Sequence, residues 1–398
     1  MTASPTSPTS PTSPTSLHLA VALDGTGWHP ASWREPGARP GELFSAAYWT
    51  DLLAEAERGL LDLVTVEDAL ALQSEDPRNP DDRTDRVRGR LDAVLLANRI
   101  APTTRHVGVV PTVVTTHTEP FHASTEIATL DYVSSGRGGV RVRVSSRADE
   151  AALVGRRDVP EREELFAEAG DYVEVLRRLW DSWEDDAEIR DAATGRFVDS
   201  DRLHYIDFSG PFFSVRGPSI TPRPPQGQPV VAALAHVDRA FRLVGHHADL
   251  GFVTPGDADD ARAILAAVRG EQEAAGRAAE PLRVLGDMLV FLDDDAGAAA
   301  SRRDRLDEAA GSALTSDARI FTGTAAELAD LVLDWHEAGL DGARLRPAVL
   351  AHDLPRITCD LVPALQRRGA FRTSYEADTL RGLLGMTRPA DRYAGSSS

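Results

Sequence analysis

The chain has 398 residues, of which 42% are hydrophobic and 26% charged, and this composition is typical of a globular protein with one large domain or two ordinary ones. Its formal net charge is −19, and the longest basic runs are pairs such as Arg367-Arg368. Nucleic-acid binding and attachment to anionic membranes both need a basic surface, so the charge argues against these functions. A phosphorylated ligand would need a local positive pocket.

Cysteine usage and apolar runs narrow the class further. Cys359 is the single cysteine, so the chain forms no internal disulfide and no cysteine-based metal site, and we predict no metal. We expect Cys359 to be a small core residue in a helix. The longest apolar runs fall short of the roughly 18 residues of a membrane span. Residues 1–16 repeat Ser-Pro-Thr and lack the features of a signal peptide, which predicts a disordered tail on a cytoplasmic protein.

From residue 17 onward, apolar runs of strand length alternate with segments of helical period. The predicted strands are 17–23, 61–66, 107–114, 139–144, 229–234, 250–253, 283–292 and 343–349. The predicted helices are 48–59, 91–100, 121–133, 164–183, 237–247, 257–275, 298–310, 325–338 and 354–366. Residues 184–228 are polar and then rich in proline and glycine, and they interrupt this rhythm.

Eight strand–helix units of this length predict a (β/α)8 barrel of the TIM type, with an insertion between the fourth barrel helix and the fifth strand. The alternative is a doubly wound open sheet. Such a sheet often has a glycine-rich turn that opens a helix after the first strand, whereas the motif Asp24-Gly-Thr-Gly-Trp28 has no third glycine and opens no helix. In a barrel the functional groups lie at the carboxyl ends of the strands, so we expect the site residues at those ends.

The loop after the first predicted strand is rich in aromatic residues. It contains Trp28, His29 and Trp33, which predict either a wall of the substrate site or a hydrophobic cap on the barrel. His29 is a candidate proton-transfer group because its neutral and cationic forms interconvert near neutral pH. Together with Phe212 in the insertion, Trp28 and Trp33 are expected to contact substrate, which favours an apolar or aromatic one.

Charged residues stand at three other strand ends. The second strand ends in Glu67-Asp68, of which only one side chain need face the barrel axis. In the fourth strand Arg141 and Arg143 alternate with valine and share a face, and a buried arginine needs an anion: a cofactor phosphate, a substrate acid or a structural carboxylate.

The fifth predicted strand leads into a helix whose free N–H groups suit a phosphate. His236 and Arg239 lie at this junction and would add to such a site.

An ordered set of short motifs covers nearly everything after residue 17. It consists of Glu57-Arg-Gly59, Ala128-Thr-Leu-Asp-Tyr132, Ser135-Gly-Arg137, Leu179-Trp-Asp-Ser-Trp183, Gly217-Pro218, Pro225-Gln-Gly227, Gly323-Thr324, Asp341-Gly342, Val362-Pro-Ala-Leu-Gln366, Arg368-Gly369, Leu384-Gly385 and Arg388-Pro389. In this order the motifs resemble those of the flavin-dependent monooxygenases of the bacterial luciferase superfamily, and within it the branch of the nitrilotriacetate and dibenzothiophene-sulfone monooxygenases.

The resemblance implies a barrel that takes reduced FMN from a separate flavin reductase and uses O2 to oxidise a small organic substrate. It also implies a homodimer. Asp68, Thr112 and Ser145 fall where members of the family contact the flavin. We expect a barrel over residues 17–370 with the insertion at 184–228, followed by a C-terminal extension at 371–398.

The chain departs from the family pattern at the cofactor phosphate. Val140-Arg141 replaces a Trp-Asn pair, Leu165-Phe166 replaces an Arg-Tyr pair, and Leu234-Ala-His236 replaces a Gly-Ser turn. His236, Arg239 and Arg141 would offset these losses if FMN is the cofactor. Two alternatives therefore stay open: an oxidoreductase that uses the deazaflavin F420, and a non-catalytic barrel that binds a ligand or serves as a partner subunit.

Overall fold

Eight parallel strands close into a barrel in the computed structural model, which describes residues 17–74 and 81–394. The strands of the described chain are β1 (His18–Leu23), β2 (Leu63–Val66), β3 (Gly108–Val114), β4 (Gly139–Arg143), β5 (Glu188–Asp191), β6 (Arg196–Val198), β7 (Phe208–Ser209), β8 (Ser214–Val215), β9 (Val230–Ala235), β10 (Leu250–Val253), β11 (Arg283–Leu292), β12 (Arg319–Gly323) and β13 (Gly342–Pro347). The ring runs β1-β2-β3-β4-β9-β10-β11-β13 and returns to β1, while β12 pairs with β11 outside it.

Helices surround the barrel, and the last of them lies at the amino ends of its strands. They are α1 (Ala46–Arg58), α2 (Ala93–Ile100), α3 (Pro120–Val133), α4 (Ala148–Val154), α5 (Arg162–Trp180), α6 (Asp238–His247), α7 (Ala258–Ala274), α8 (Ala296–Ala310), α9 (Ala325–Glu337), α10 (Leu350–Arg356), α11 (Val362–Arg367) and α12 (Leu380–Leu383). The closed ring confirms the predicted barrel. The prediction was possible because strands that are buried on both faces appear in the sequence as continuous apolar runs. The short elements α4, β5 to β8 and β12 were not predicted.

Close packing of β1 and β13 completes the ring. A Cβ on Gly342 would lie 1.9 Å from the carbonyl oxygen of His18, and its φ of +153° is one that a larger residue rarely adopts. Thr324 and Glu327 form a capping box that begins α9, as the sequence indicates.

The amino ends of the barrel strands are closed by an apolar plug from the C-terminal segment. Leu380, Leu384 and Met386 pack with residues at the strand starts, among them Leu63 and Leu250. The segment is also held by hydrogen bonds, since the Tyr375 hydroxyl donates to the Leu61 carbonyl oxygen at 2.9 Å. The opposite, carboxyl ends are left open for a site.

The insertion forms two small hairpins, β5–β6 and β7–β8, and the second packs its apolar side chains against α5. Its exit is anchored where the buried Arg223 guanidinium donates to Asp181 at 2.9 Å. The insertion thereby joins α5 to the C-terminal segment, because Arg223 also donates to the Pro389 carbonyl oxygen.

Other sequence-based expectations have mixed outcomes. The prediction of a buried Cys359 is wrong: the side chain is exposed on a π-helical turn, and the Arg58 guanidinium lies 3.0 Å from its sulfur. The tail at 1–16 lies outside the described residues.

Across 17–74 and 81–394, no helix has the length and apolar content to cross a membrane. In the same residues, no group of three histidine, cysteine or acidic side chains could hold a metal ion.

Candidate active site

Two adjoining cavities open at the carboxyl ends of the barrel strands. The α6 cavity, of about 530 Å³, lies among the ends of β4, β9 and β13 and the start of α6. The β1-loop cavity, of about 360 Å³, lies under the loop that follows β1. Trp28, Glu67 and Arg143 line both cavities, so a ligand in one would be a neighbour of a ligand in the other.

The α6 cavity is positively charged against the acidic background of the chain. Two carboxylates line it, those of Glu67 and Asp317. Six arginines also line it: Arg141, Arg143, Arg162, Arg239, Arg344 and Arg346. This is the local positive pocket that a phosphorylated ligand requires in a chain of net charge −19.

An ionic network forms the floor of the α6 cavity. The Arg141 guanidinium donates to one oxygen of Glu67, and that of Arg344 donates to the other at 3.1 Å. Burial alone would raise the pKa of Glu67, but Arg141 and Arg344 hold it below its usual range. The Thr112 hydroxyl holds Arg141 in place: it accepts a hydrogen bond from Arg141 Nε at 3.0 Å and donates one to the Val66 carbonyl oxygen.

The network continues along β13 to the cavity wall. Arg346 Nε donates to Asp287 at 2.9 Å, and its Nη1 donates to Asp317 at 2.6 Å. Its guanidinium stacks on Trp28, with 4.6 Å between the guanidinium carbon and the ring centroid. Within the described chain, three buried donors in this wall lack a hydrogen-bond acceptor: Trp28 Nε1, Arg344 Nε and Arg344 Nη1. These N–H groups are enclosed by protein and leave hydrogen-bonding capacity unused.

The start of α6 forms the opposite wall. Its N-cap residue, Val237, offers no side-chain cap, so the first N–H groups of the helix are free to bind an anion. His236 and Arg239 flank them at exposed positions. Arg239 pairs with the exposed Glu163.

The structure thus brings four of the sequence-predicted residues, Trp28, Arg141, His236 and Arg239, to the α6 cavity. Ser145 is buried beside it: its hydroxyl accepts from the Arg147 N–H at 3.2 Å, and the adjacent Ser146 lines the cavity instead.

Asp68 lines the β1-loop cavity rather than the α6 cavity. Its carboxylate accepts from the N–H groups of Ala69 at 2.7 Å and Ala93 at 2.9 Å, and so fixes the start of α2. Burial raises the pKa of Asp68 although these backbone bonds lower it. Glu67, not Asp68, turns toward the barrel axis.

His29 also lines the β1-loop cavity, but both of its ring nitrogens are engaged. Nδ1 accepts from the Ala31 N–H at 3.0 Å, which leaves Nε2 to donate to Asp307 at 3.1 Å. Burial lowers the pKa of His29, against the opposing effect of Asp307. The geometry gives His29 a structural role, joining the β1 loop to α8; proton transfer stays a prediction.

Trp33 and Phe212 line neither cavity. The Trp33 indole donates to the Asp85 carbonyl oxygen at 3.0 Å, and Phe212 lies in the turn between β7 and β8.

Sequence reasoning missed much of the ionic floor, including Asp287, Arg344 and Arg346. The two arginines of β13 could have been found from the sequence, because Arg344-Leu-Arg346 repeats the alternation of Arg141-Val-Arg143 and so places both arginines on one face of the strand.

Comparison with known proteins identifies the family. A family model described as luciferase-like monooxygenase matches residues 26–342. The N-acetyl-S-(2-succino)cysteine monooxygenase of Bacillus subtilis (strain 168) is 29% identical over 95% of this chain and 98% of its own length. Component A of the nitrilotriacetate monooxygenase of Aminobacter aminovorans is 29% identical over 96% and 99%.

The crystal structure of a long-chain alkane monooxygenase shares the fold, with a TM-score of 0.86 and 22% identity over 96% of this chain and 99% of that one. These findings confirm the resemblance inferred from the sequence motifs. The chain belongs to the luciferase-like monooxygenase family and is an oxidoreductase.

Proposed function

We propose that the protein is a flavin-dependent monooxygenase that uses reduced FMN and O2 to oxidise a small organic substrate. The observation that carries the proposal is the α6 cavity, which combines six guanidinium groups with an uncapped helix N-terminus at the mouth of a luciferase-like barrel. A phosphorylated ligand suits such a cavity.

The cavity fits both ends of FMN. The phosphate would bind the first N–H groups of α6 with His236 and Arg239, which replace the usual glycine-serine turn. The flat ring would pack against Trp28 and Phe166, which line the cavity. Bound reduced FMN would supply the electrons that activate oxygen.

Arg141 is already committed to Glu67, so it would not replace a lost phosphate partner. Arg239 is better placed for that purpose. Its present partner, Glu163, is 68% exposed, and a surface pair of this kind contributes at most about 1 kcal/mol. A charge-assisted hydrogen bond to phosphate contributes about 1.5–3 kcal/mol, so exchange of partners would be favourable.

The adjoining β1-loop cavity would hold the substrate, with Trp28 between substrate and flavin. The protein would orient the two and exclude water from the reacting atoms. A separate flavin reductase would supply the reduced flavin, as the name "component A" of the nitrilotriacetate monooxygenase suggests for that relative. A homodimer and a cytoplasmic location complete the proposal.

The test is an anaerobic titration of the protein with reduced FMN, followed by mixing with oxygenated buffer while absorbance is recorded. The proposal expects saturable binding and an absorbance transient that free reduced FMN does not show. His236→Ala and Arg239→Ala should each weaken binding, whereas Arg262→Ala, on the exposed face of α7, should not.

Absence of both binding and transient would refute the proposal. Binding of reduced F420 without oxygen uptake would instead support the deazaflavin alternative.

A further inference from the structure

The β1-loop cavity contains two ionisable side chains, one acidic and one basic, without partners. Asp24 follows β1, and Arg90 lies just before α2. Between 17–74 and 81–394, neither side chain makes a hydrogen bond or an ion pair, and Arg90 Nε is buried without an acceptor. Both side chains line the same cavity without forming an ion pair with one another, and Arg90 lowers the pKa of Asp24.

The other charged groups of this cavity are already satisfied. Glu67 is bound by Arg141 and Arg344, and Asp68 is bound by two backbone N–H groups. The Arg143 guanidinium donates to the Asp68 carbonyl oxygen at 2.6 Å. Arg86 and Arg147 have partners as well.

Unpartnered charge in a partly buried cavity is costly unless a ligand completes it. The size and lining of the cavity suit a small organic molecule. Its volume is about 360 Å³, and Trp28, Leu72 and Val87 provide apolar walls. The terminal nitrogens of Arg90, which have no partner in the described chain, can donate to the two oxygens of a carboxylate.

We propose that the β1-loop cavity binds a substrate that carries a carboxylate, with Arg90 as the cationic partner and Asp24, in its acid form, as a hydrogen-bond donor to the same carboxylate. The assignment of this ligand as the substrate rests on the proposed function, since the cavity adjoins the flavin site. Asp24 and the ligand carboxylate would share one proton, because two neighbouring carboxyl groups do not both ionise readily.

Binding is then linked to pH. Burial raises the pKa of Asp24, while Arg90 lowers it; Glu67 adds to the rise and Arg143 and Arg141 oppose it. His29 and Asp68 also face the cavity. A bound carboxylate brings a further negative charge toward Asp24 and raises its pKa again. The complex therefore takes up a proton, and carboxylate affinity increases as pH falls toward the Asp24 pKa.

The test uses flavin-free protein and isothermal titration calorimetry with benzoate and its neutral analogue benzamide. Titrations in buffers of different ionisation enthalpy count the protons taken up. We expect benzoate to bind more tightly than benzamide and with proton uptake. Arg90→Gln should weaken benzoate binding about 10- to 100-fold, the loss expected for charge-assisted hydrogen bonds. Arg262→Gln, an exposed change of the same charge, should have no effect.

Asp24→Asn provides the second, independent readout. It should keep benzoate binding but abolish proton uptake and the pH dependence of affinity, while Asp259→Asn on the exposed face of α7 should change neither. The proposal would be overturned if wild type bound benzoate and benzamide equally well, or did not bind benzoate at millimolar concentration. It would also be overturned if Arg90→Gln kept full benzoate affinity, or if Asp24→Asn took up as many protons as wild type. Failure of FMN to bind would refute the proposed function separately, because these titrations contain no flavin.

Discussion

Glu67 is the position at which substitution should reveal most about the barrel. Its side chain is 10% exposed and lies between the guanidinium groups of Arg141 and Arg344, whose side chains are 4% and 0% exposed. Glu67→Gln keeps the size of the side chain but removes the negative charge. Both arginines would then remain buried without this anion, and buried cations are strongly destabilising when unpaired.

Loss of one partner from a buried ion pair costs about 3–5 kcal/mol. The loss of stability in Glu67→Gln is reduced by two other groups: Thr112 still accepts a hydrogen bond from Arg141, and Asp287 lies 3.4 Å from Arg344 Nε. We therefore expect the lower end of the range, about 3 kcal/mol of unfolding free energy at neutral pH.

The pH dependence has a definite sign. The arginines hold the folded-state pKa of Glu67 below its usual value, so its stabilising effect is complete above the unfolded pKa of about 4.3 and is lost as pH falls through the folded pKa. Urea unfolding of wild type and Glu67→Gln, followed by tryptophan fluorescence, should show a difference at pH 7 that shrinks in acid.

Glu280→Gln is the matched control. The Glu280 side chain is 57% exposed where it pairs with Arg277, so this change should lower the unfolding free energy by at most about 1 kcal/mol. A Glu67→Gln protein as stable as this control, or a difference that persists unchanged in acid, would refute the reasoning.

Three other substitutions test the frame of the barrel. Thr324→Ala removes the N-cap of α9 and should lower the unfolding free energy by about 1 kcal/mol in the same urea titration. Gly342→Ala would place a Cβ 1.9 Å from a β1 carbonyl oxygen and should abolish soluble expression, whereas Gly270→Ala, in open space on α7, should leave the yield intact. Asp62 is buried, and a histidine and a C-terminal arginine lower its pKa against the effect of burial. Asp62→Asn should therefore cost about 3 kcal/mol at neutral pH, with a difference that is complete above the unfolded pKa of about 3.9 and shrinks as pH falls below it, through the lowered folded pKa.

The barrel was predictable from sequence because its strands are buried on both faces and its helices are amphipathic. The observed bounds of β10 and β11 match the predicted ones, and most other ends differ by one to four residues. The elements α4 and β12 were not predicted, since each is short and its apolar residues set no clear period. The β7–β8 hairpin packs on α5, and Arg223 ties the end of the insertion to the C-terminal segment; local sequence indicates neither contact.

The site was predictable only in part, for a physical reason. The alternation of Arg141 and Arg143 predicted buried cations that need an anion, but it left open which anion, and the structure supplies Glu67. The ring nitrogens of His29 are engaged partly by Asp307, 278 positions away in the chain, so no local pattern could show that they were occupied. Asp24 and Arg90 were overlooked because a missing partner is a property of the folded cavity.

The most direct test of the account is the ratio of the dissociation constants of reduced riboflavin and reduced FMN, measured anaerobically. The two share a ring and differ in the phosphate that we assign to α6, His236 and Arg239. We predict that FMN binds at least about tenfold more tightly than riboflavin, the contribution of one charge-assisted hydrogen bond, and that Arg239→Ala brings the two dissociation constants closer together. Equal affinities, or no binding of either flavin, would contradict the assignment of the α6 cavity as a flavin phosphate site.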